Sequence, residues 1–92
     1  MSYFIISENS FKKDYKRCKK RNYSLPLLHE VMVILQEKGK LPARYKLHKL
    51  TGNYKGRFEC HVKPDWLLIW RQDEAGKEIF LERTGTHSDL FQ

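Results

Sequence analysis

Three histidines and one aspartate are the residues of this sequence that could transfer protons. His61 and Asp65 lie at the entrance to the apolar run 66–70, His48 lies in a basic segment, and His87 lies near the C-terminus. An imidazole with an ordinary pKa near ~6.5 can either accept or donate a proton at neutral pH. We therefore expect general acid–base chemistry if the fold brings these four side chains together.

Groups of this kind can cleave RNA without a metal ion. The 2′-hydroxyl attacks the adjacent phosphate, so one group must take its proton and another must protonate the leaving 5′-oxygen. Negative charge develops on the phosphoryl oxygens, where a fixed cation such as Arg83 would stabilise the transition state. A carboxylate such as Asp65 can orient an imidazole, or act as the base if burial raises its pKa.

The same residues have other interpretations, which the sequence leaves open. A single histidine is more often a surface or hydrogen-bonding residue than a catalyst, and Arg83 could serve only as the partner of an acidic side chain. Trp66 is more often a core residue than a base-stacking platform. Two histidines and a carboxylate could also bind a metal ion. No compact ligand motif such as HExxH supports a metal site, and we expect none.

Two basic clusters suit a polyanionic partner. The chain has a formal net charge of +7, and its first cluster, residues 12–21, is opposed only by Asp14. The second cluster spans residues 38–63 and is opposed only by Glu59. Phosphate contacts from such clusters give affinity without sequence choice. An acidic protein segment, or a solvated lysine face without a partner, would explain the charge equally well.

Hydrophobic spacing predicts the elements that position these groups. The apolar run 3–6 is typical of a short strand, and Phe11, Tyr15 and Cys18 at i, i+4 and i+7 predict a basic helix. A second helix is expected between an N-cap at Ser24 and a C-terminal Gly39. Segment 40–53 is typical of a loop.

Three strands are predicted in the second half of the chain. Residues 57–63 alternate between polar and apolar, and the continuous apolar run 66–70 indicates a central strand. A hairpin turn at 73–77 leads into a third strand at 78–83. The pattern predicts a single α+β domain over residues 1–92. In it an N-terminal strand and two basic amphipathic helices pack on a mainly antiparallel sheet.

Cysteine usage and hydropathy favour a cytoplasmic protein. Cys18 and Cys60 form no dense framework, so both are expected to be reduced thiols. No apolar run is long enough to span a bilayer, and the N-terminal residues lack the basic start of a secretion signal.

Three stretches together resemble the YafQ family of bacterial toxins, within the RelE/ParE superfamily. They are HKLTG at 48–52, ECHVKPDW at 59–66 and RTGTHSDLF at 83–91. The resemblance implies a microbial-RNase-like fold and a type II toxin that cleaves mRNA in the A site of the 70S ribosome without a cofactor. It also implies a co-encoded, DNA-binding antitoxin, which holds the toxin inactive in a complex that represses their operon.

The resemblance assigns roles to particular residues of this chain. The expected catalytic residues are His48, His61, Asp65 and His87, with His87 and Asp65 transferring protons. The expected substrate-binding residues are Trp66, Arg83, Phe91, Lys49 and Lys55. The main rival is a non-catalytic basic binding module, since the ParE-like branch of the superfamily inhibits gyrase instead of cutting RNA.

Overall fold

A computed structural model describes residues 2–91 as helices packed on a mixed five-stranded sheet. The spatial order of the strands is β1-β5-β4-β3-β2; β1 runs parallel to β5, and the other pairs are antiparallel. The predicted α+β architecture is confirmed. The elements are β1 (Phe4–Ser7), α1 (Asn9–Lys20), α2 (Leu25–Lys38), β2 (His48–Lys49), β3 (Phe58–Lys63), β4 (Trp66–Asp73), β5 (Glu78–Gly85) and α3 (His87–Leu90).

The central strand is the one that the apolar run predicted. All five residues 66–70 are buried, and β4 lies in the middle of the sheet with β3 and β5 on either side. Burial on both faces explains why this strand is continuously apolar and does not alternate. The predicted hairpin between β4 and β5 is also present, with Asp73 opposite Glu78.

The two long helices cover one face of this sheet. Helix α1 buries Phe11 and Cys18 against it, and α2 buries a stripe that includes Leu28 and Leu35. Gly39 ends α2 in the left-handed conformation at φ 67°, and its amide donates to the carbonyl of Leu35. Both helices and the terminating glycine agree with the sequence prediction.

The segment expected to be a loop contains a further strand. Between α2 and β3 the chain forms two short 3₁₀ turns, Ala43–Tyr45 and Gly52–Tyr54, with β2 between them. Strand β2 places His48 opposite Glu59 at the edge of the sheet. Two residues are too few to display a strand periodicity, so the sequence could not indicate this pairing.

A smaller apolar cluster lies on the opposite face of the sheet. Leu67 and Ile69 of β4 pack there with Leu90 of α3, and Tyr54 covers their side. Among residues 2–91 this face is covered by the short helix α3 in place of a long one, and His48, Asp65 and His87 are exposed. Within residues 2–91, no helix is both long and apolar enough to cross a membrane.

Candidate active site

The side chains that could take part in catalysis meet on the sheet face that the long helices leave open. The strand register places His48, Glu59, Ile69 and Arg83 in one row across β2, β3, β4 and β5. The next row begins with His61, opposite Leu67 of β4. Directly opposed residues of neighbouring strands point to the same face, so both rows line one surface.

Three imidazoles form a line along the end of this surface. The ring centroids of His48 and His61 are 6.2 Å apart, and those of His61 and His87 are 5.9 Å apart. The line continues to Phe91, 6.4 Å from His87, and Phe91 meets Tyr54 edge to face at 5.4 Å. The fold therefore brings together the three histidines singled out in the sequence.

Asp65 orients His87. Its Oδ1 accepts a hydrogen bond from the His87 backbone amide at 3.0 Å and another from Nδ1 of the ring at 2.6 Å. These two bonds from His87 hold the pKa of Asp65 below its usual range. The carboxylate is therefore ionised at neutral pH and can only accept, which assigns the proton to Nδ1 and leaves Nε2 of His87 free.

The second imidazole, His61, is held in the same tautomer by a backbone carbonyl. Its Nδ1 lies 3.2 Å from the oxygen of Pro64, and since a carbonyl only accepts, Nδ1 carries the proton. Nε2 of His61 is then available to accept a proton. A register shift between His61 and Lys63 interrupts the strand pairing immediately after this histidine. Bulges of this kind commonly re-aim side chains beside functional sites.

The third imidazole has both ring nitrogens engaged. Nδ1 of His48 donates to the carbonyl of Lys46 at 2.9 Å, and Nε2 lies 3.0 Å from Oε1 of Glu59. The Glu59 carboxylate therefore directly faces the Nε2 edge of this ring. His48 therefore has a protein neighbour at each ring nitrogen, whereas His61 and His87 are each held through Nδ1.

Glu59 is the residue of the site that sequence reasoning missed. It is only 4% exposed, and its Oε2 is buried without a hydrogen-bond partner among the described residues. The available signal was its position, two residues before His61 on the polar face of the same strand. A buried carboxylate with one unpaired oxygen is costly, and such costs concentrate at functional sites.

An ion pair between α1 and α3 fixes the helix that carries His87. The Arg21 guanidinium binds the Asp89 carboxylate with Nη1–Oδ2 at 2.7 Å and Nη2–Oδ1 at 3.2 Å. Asp89 also forms a capping box with Thr86, the residue before His87. A Cβ at Gly85 would lie 2.8 Å from Oδ2 of Asp89, so this close approach requires glycine.

This ion pair predicts acid sensitivity. Arg21 lowers the pKa of Asp89 in the folded state, so the carboxylate stabilises the fold fully above its unfolded pKa of about 3.9 and loses that effect as the pH falls towards the lower folded value. We expect Asp89→Asn to lower the free energy of unfolding at neutral pH and to approach wild type in acid. Urea denaturation at a series of pH values measures this difference, and a constant difference at every pH would contradict the assignment.

Trp66 does not offer its ring to a substrate. The indole is 3% exposed, its Nε1 donates to Oγ1 of Thr84 at 2.9 Å, and Tyr23 packs edge to face on it at 4.9 Å between centroids. The expectation of direct substrate contact is therefore corrected. Trp66 belongs instead to the hydrophobic core on the helix side of the sheet.

Arg83 is bound by an internal carboxylate. Its Nε donates to Oδ2 of Asp14 at 2.6 Å and its Nη2 to Oδ1 at 3.4 Å. Asp14 is buried and also accepts from the amide of Thr84 at 3.0 Å and from Arg17 at 3.0 Å. This ion pair gives Arg83 a structural role, and since its side chain is still 28% exposed, the expected phosphate contact stays a prediction. The signal was visible, since Asp14 is the single acid in the first basic cluster.

The two lysines assigned to substrate binding lie in different surroundings. Lys49 follows His48 on β2 and points to the other face, where its Nζ lies 5.7 Å from the centroid of the Phe58 ring. The fold therefore does not bring Lys49 to the histidines. Lys55 is exposed and follows Tyr54, and Phe91 is 44% exposed beside that tyrosine. Lys55 and Phe91 therefore stay at the open end of the imidazole line.

Comparison with known proteins decides the family. The family described as "Bacterial toxin of type II toxin-antitoxin system, YafQ" matches residues 3–92. The chain belongs to the YafQ family. The mRNA interferase toxin YafQ of Escherichia coli K12 is 42% identical over 88 residues, which cover 95% of this chain and 94% of the relative.

Solved YafQ structures share the whole fold. The crystal structure of the E. coli YafQ mutant H87Q has a TM-score of 0.90 at 37% identity, and covers 98% of this chain and 99% of that one. YafQ in the E. coli DinJ–YafQ toxin–antitoxin complex gives 0.89 at 38% identity with full coverage of both chains. This YafQ chain is therefore a toxin of a type II toxin–antitoxin system, as the motifs indicated.

The sequence left a metal site open as an unfavoured alternative and predicted reduced thiols. Among residues 2–91, no three histidine, cysteine or carboxylate side chains are grouped as metal ligands. Cys18 and Cys60 are both free and buried, and burial raises the pKa of each thiol. Neither cysteine is positioned to act as a nucleophile.

Proposed function

We propose that this toxin is an mRNA interferase that cleaves RNA by attack of the 2′-hydroxyl. The supporting observation is the line of three imidazoles, neighbouring centroids being about 6 Å apart, with two of the rings held so that Nε2 is free. Curated relatives over most of the chain carry the name mRNA interferase. An inhibitor that acts by binding alone has no use for imidazoles gathered at one site.

The geometry favours His87 and His61 as the two proton carriers. Their ring centroids are only 5.9 Å apart, so one phosphodiester could contact both: Nε2 of one ring removes the proton of the 2′-hydroxyl, and the other ring, in its protonated form, protonates the 5′-oxygen. Asp65 was expected to share in proton transfer, but its lowered pKa makes it a weak base. Its role in this proposal is to keep His87 in the productive tautomer and orientation.

The remaining groups position and stabilise the substrate. His48, held by both Glu59 and the carbonyl of Lys46, presents a fixed imidazole edge to the phosphoryl oxygens. The exposed ring of Phe91, supported by Tyr54, offers a surface on which a base can stack. Lys55 adds positive charge beside that surface.

The partners proposed for this toxin are an antitoxin and the translating ribosome. An E. coli YafQ has been crystallised with DinJ, which supports a cognate antitoxin for this chain too. We propose that this antitoxin is a DNA-binding protein whose complex with the toxin represses their operon. The formal charge of +7 and the exposed lysines of α1 suit ribosomal RNA, and mRNA in the A site of the 70S ribosome is the proposed substrate. The place of action would then be the cytoplasm.

Mapping of mRNA ends tests this function against its rivals. Primer extension on mRNA from cells expressing the toxin should give discrete new 5′ ends within reading frames. Growth arrest without new ends would favour the non-catalytic binding module. With purified toxin and programmed ribosomes, cleavage should persist in excess EDTA with polyamines maintaining the ribosome, and loss of cleavage would favour a metal-dependent nuclease.

Removing the carboxylate of Asp65 should impair the reaction without unfolding the protein. We expect Asp65→Asn to reduce the rate of cleavage about 10- to 100-fold, because His87 loses the anion that fixes its tautomer. The neighbouring variant Ser88→Ala, which alters an exposed residue, is the control. Single-turnover cleavage of ribosome-bound mRNA measures the effect, and an unchanged rate for Asp65→Asn would remove Asp65 from the mechanism.

A further inference from the structure

A cleft outside the imidazole line adjoins His61. It has a volume of about 420 Å³, within the size range of small-ligand pockets, and lies between α2 and the turn that joins β3 to β4. His61 forms part of its wall, so anything bound there would be a direct neighbour of the proposed scissile linkage. The residues that matter for its chemistry are Leu27, Tyr45, Lys46, Val62, Lys63 and Pro64.

The floor of this cleft is apolar and its rim is cationic. Leu27, Val62 and Pro64 contribute apolar surface, whereas Lys46 and Lys63 are exposed. The other charges that line the cleft balance each other, since Arg44 lies 3.3 Å from Glu30. In the described part of the chain neither lysine forms an ion pair, which leaves two positive charges available at the rim.

The backbone of Lys46 couples this rim to the catalytic line. Lys46 adopts a left-handed conformation at φ 52°, which is uncommon for a residue with a side chain. Its carbonyl accepts the hydrogen bond from Nδ1 of His48 at 2.9 Å, while the residue also lines the cleft. A phosphate bound by Lys46 would therefore lie next to the groups that act on the linkage.

We propose that this cleft is a subsite for the nucleotide adjacent to the cleaved linkage. The base of that nucleotide rests on the apolar floor, and Lys46 and Lys63 bind its phosphate. An apolar surface for the base and cations for the backbone are the two features that single-stranded RNA sites combine. This inference rests on the proposed function and adds where the strand runs beyond the reacting phosphate.

Charge removal at the rim tests the subsite. On ribosomes programmed with one cleavable mRNA, we expect the double variant Lys46→Ala/Lys63→Ala to raise KM about tenfold while kcat stays within about twofold, since neither lysine acts on the linkage. The matched control is Lys38→Ala/Lys40→Ala, which removes the same charge at the other end of α2. For a short free RNA oligonucleotide with a 2′-deoxy cut site, the salt dependence of log Kd should weaken by about two in slope for the rim variant only.

A second variant tests the floor. We expect Leu27→Trp to fill the cleft and to change which nucleotide is preferred next to the mapped cut sites. The subsite is overturned if the rim variant has the same KM as the control, or if its kcat falls as strongly as its kcat/KM. In either case, cleavage by the wild type would still support the proposed function. A rim variant that loses only antitoxin affinity would show that the cleft docks protein, which also overturns the inference. Absence of cleavage by the wild type would instead overturn the proposed function itself.

Discussion

The variant His87→Ala should lose about 10²- to 10⁴-fold in the rate of mRNA cleavage, the range typical of removing a general acid or base. His87 is the imidazole with the most complete support: Asp65 holds its Nδ1, and the Arg21–Asp89 pair holds its helix. Its side chain is 54% exposed, so the substitution should leave the fold intact. Single-turnover cleavage on programmed ribosomes measures the loss.

A matched histidine on the same molecule controls this experiment. His29 is an exposed residue of α2, on the helix side of the sheet, and its Nε2 bonds to the hydroxyl of Tyr15 at 2.8 Å. His29→Ala makes the same chemical change and should retain the wild-type rate. Thermal denaturation of both variants shows whether they are folded. A folded His87→Ala protein that cleaves as fast as His29→Ala would defeat the assigned role.

The largest effect on stability is expected at Asp14. Asp14→Ala should lower the free energy of unfolding by about 3–5 kcal/mol, because it leaves Arg83 without its carboxylate and the amide of Thr84 without its acceptor in a buried setting. The change removes the polar link between α1 and β5. Urea denaturation at neutral pH measures the loss.

Two further variants separate this burial effect from the loss of a charge. Glu37→Ala removes an exposed carboxylate from α2 and should change the free energy of unfolding by no more than about 0.5 kcal/mol. The double variant Asp14→Leu/Arg83→Met should regain part of the stability, since it removes both charges instead of stranding one. An Asp14→Ala protein as stable as Glu37→Ala would contradict the structural role given to the Asp14–Arg83 pair.

Hydrophobic spacing over short stretches of sequence was enough to predict the central strand and the two long helices. The apolar run 66–70 identified the central strand because burial on both faces requires side chains that are apolar on both faces. Spacing at i, i+4 and i+7 located α1, and Gly39 located the end of α2. Strand β2 was not predicted, because its two residues are extended only through pairing with β3 and are too few to show a periodicity.

The residues of the candidate site also divide into those that the local sequence could predict and those that it could not. His61 and Asp65 were predictable because one hairpin turn separates them. The burial of Glu59 and Asp14 was not, since it depends on partners distant in sequence: His48 for Glu59 and Arg83 for Asp14. The position of Trp66 at the start of β4 suggested an exposed ring, whereas Tyr23 covers this ring from the helix layer.

The glutamate that sequence reasoning missed changes how the site is understood. The Glu59 carboxylate lies 3.0 Å from Nε2 of His48 while Nδ1 bonds to the carbonyl of Lys46, so both nitrogens of this ring have protein neighbours, unlike those of His61 and His87. The centroids of His61 and His87 are 5.9 Å apart, slightly closer than the 6.2 Å between His48 and His61. The Glu59 carboxylate beside Nε2 of His48 therefore distinguishes the proposed positioning residue from the proposed proton carriers, which are held only through Nδ1.

Replacement of a single hydroxyl group in the substrate tests whether the 2′-hydroxyl of the mRNA is the nucleophile. An mRNA is prepared in which the nucleotide before the mapped cut carries hydrogen in place of the 2′-hydroxyl, and it is presented on programmed ribosomes to the purified toxin. Attack by the 2′-hydroxyl predicts that cleavage at that linkage disappears, while the all-ribose mRNA yields a 2′,3′-cyclic phosphate and a 5′-hydroxyl. Cleavage of the deoxy-substituted linkage at an undiminished rate would contradict it.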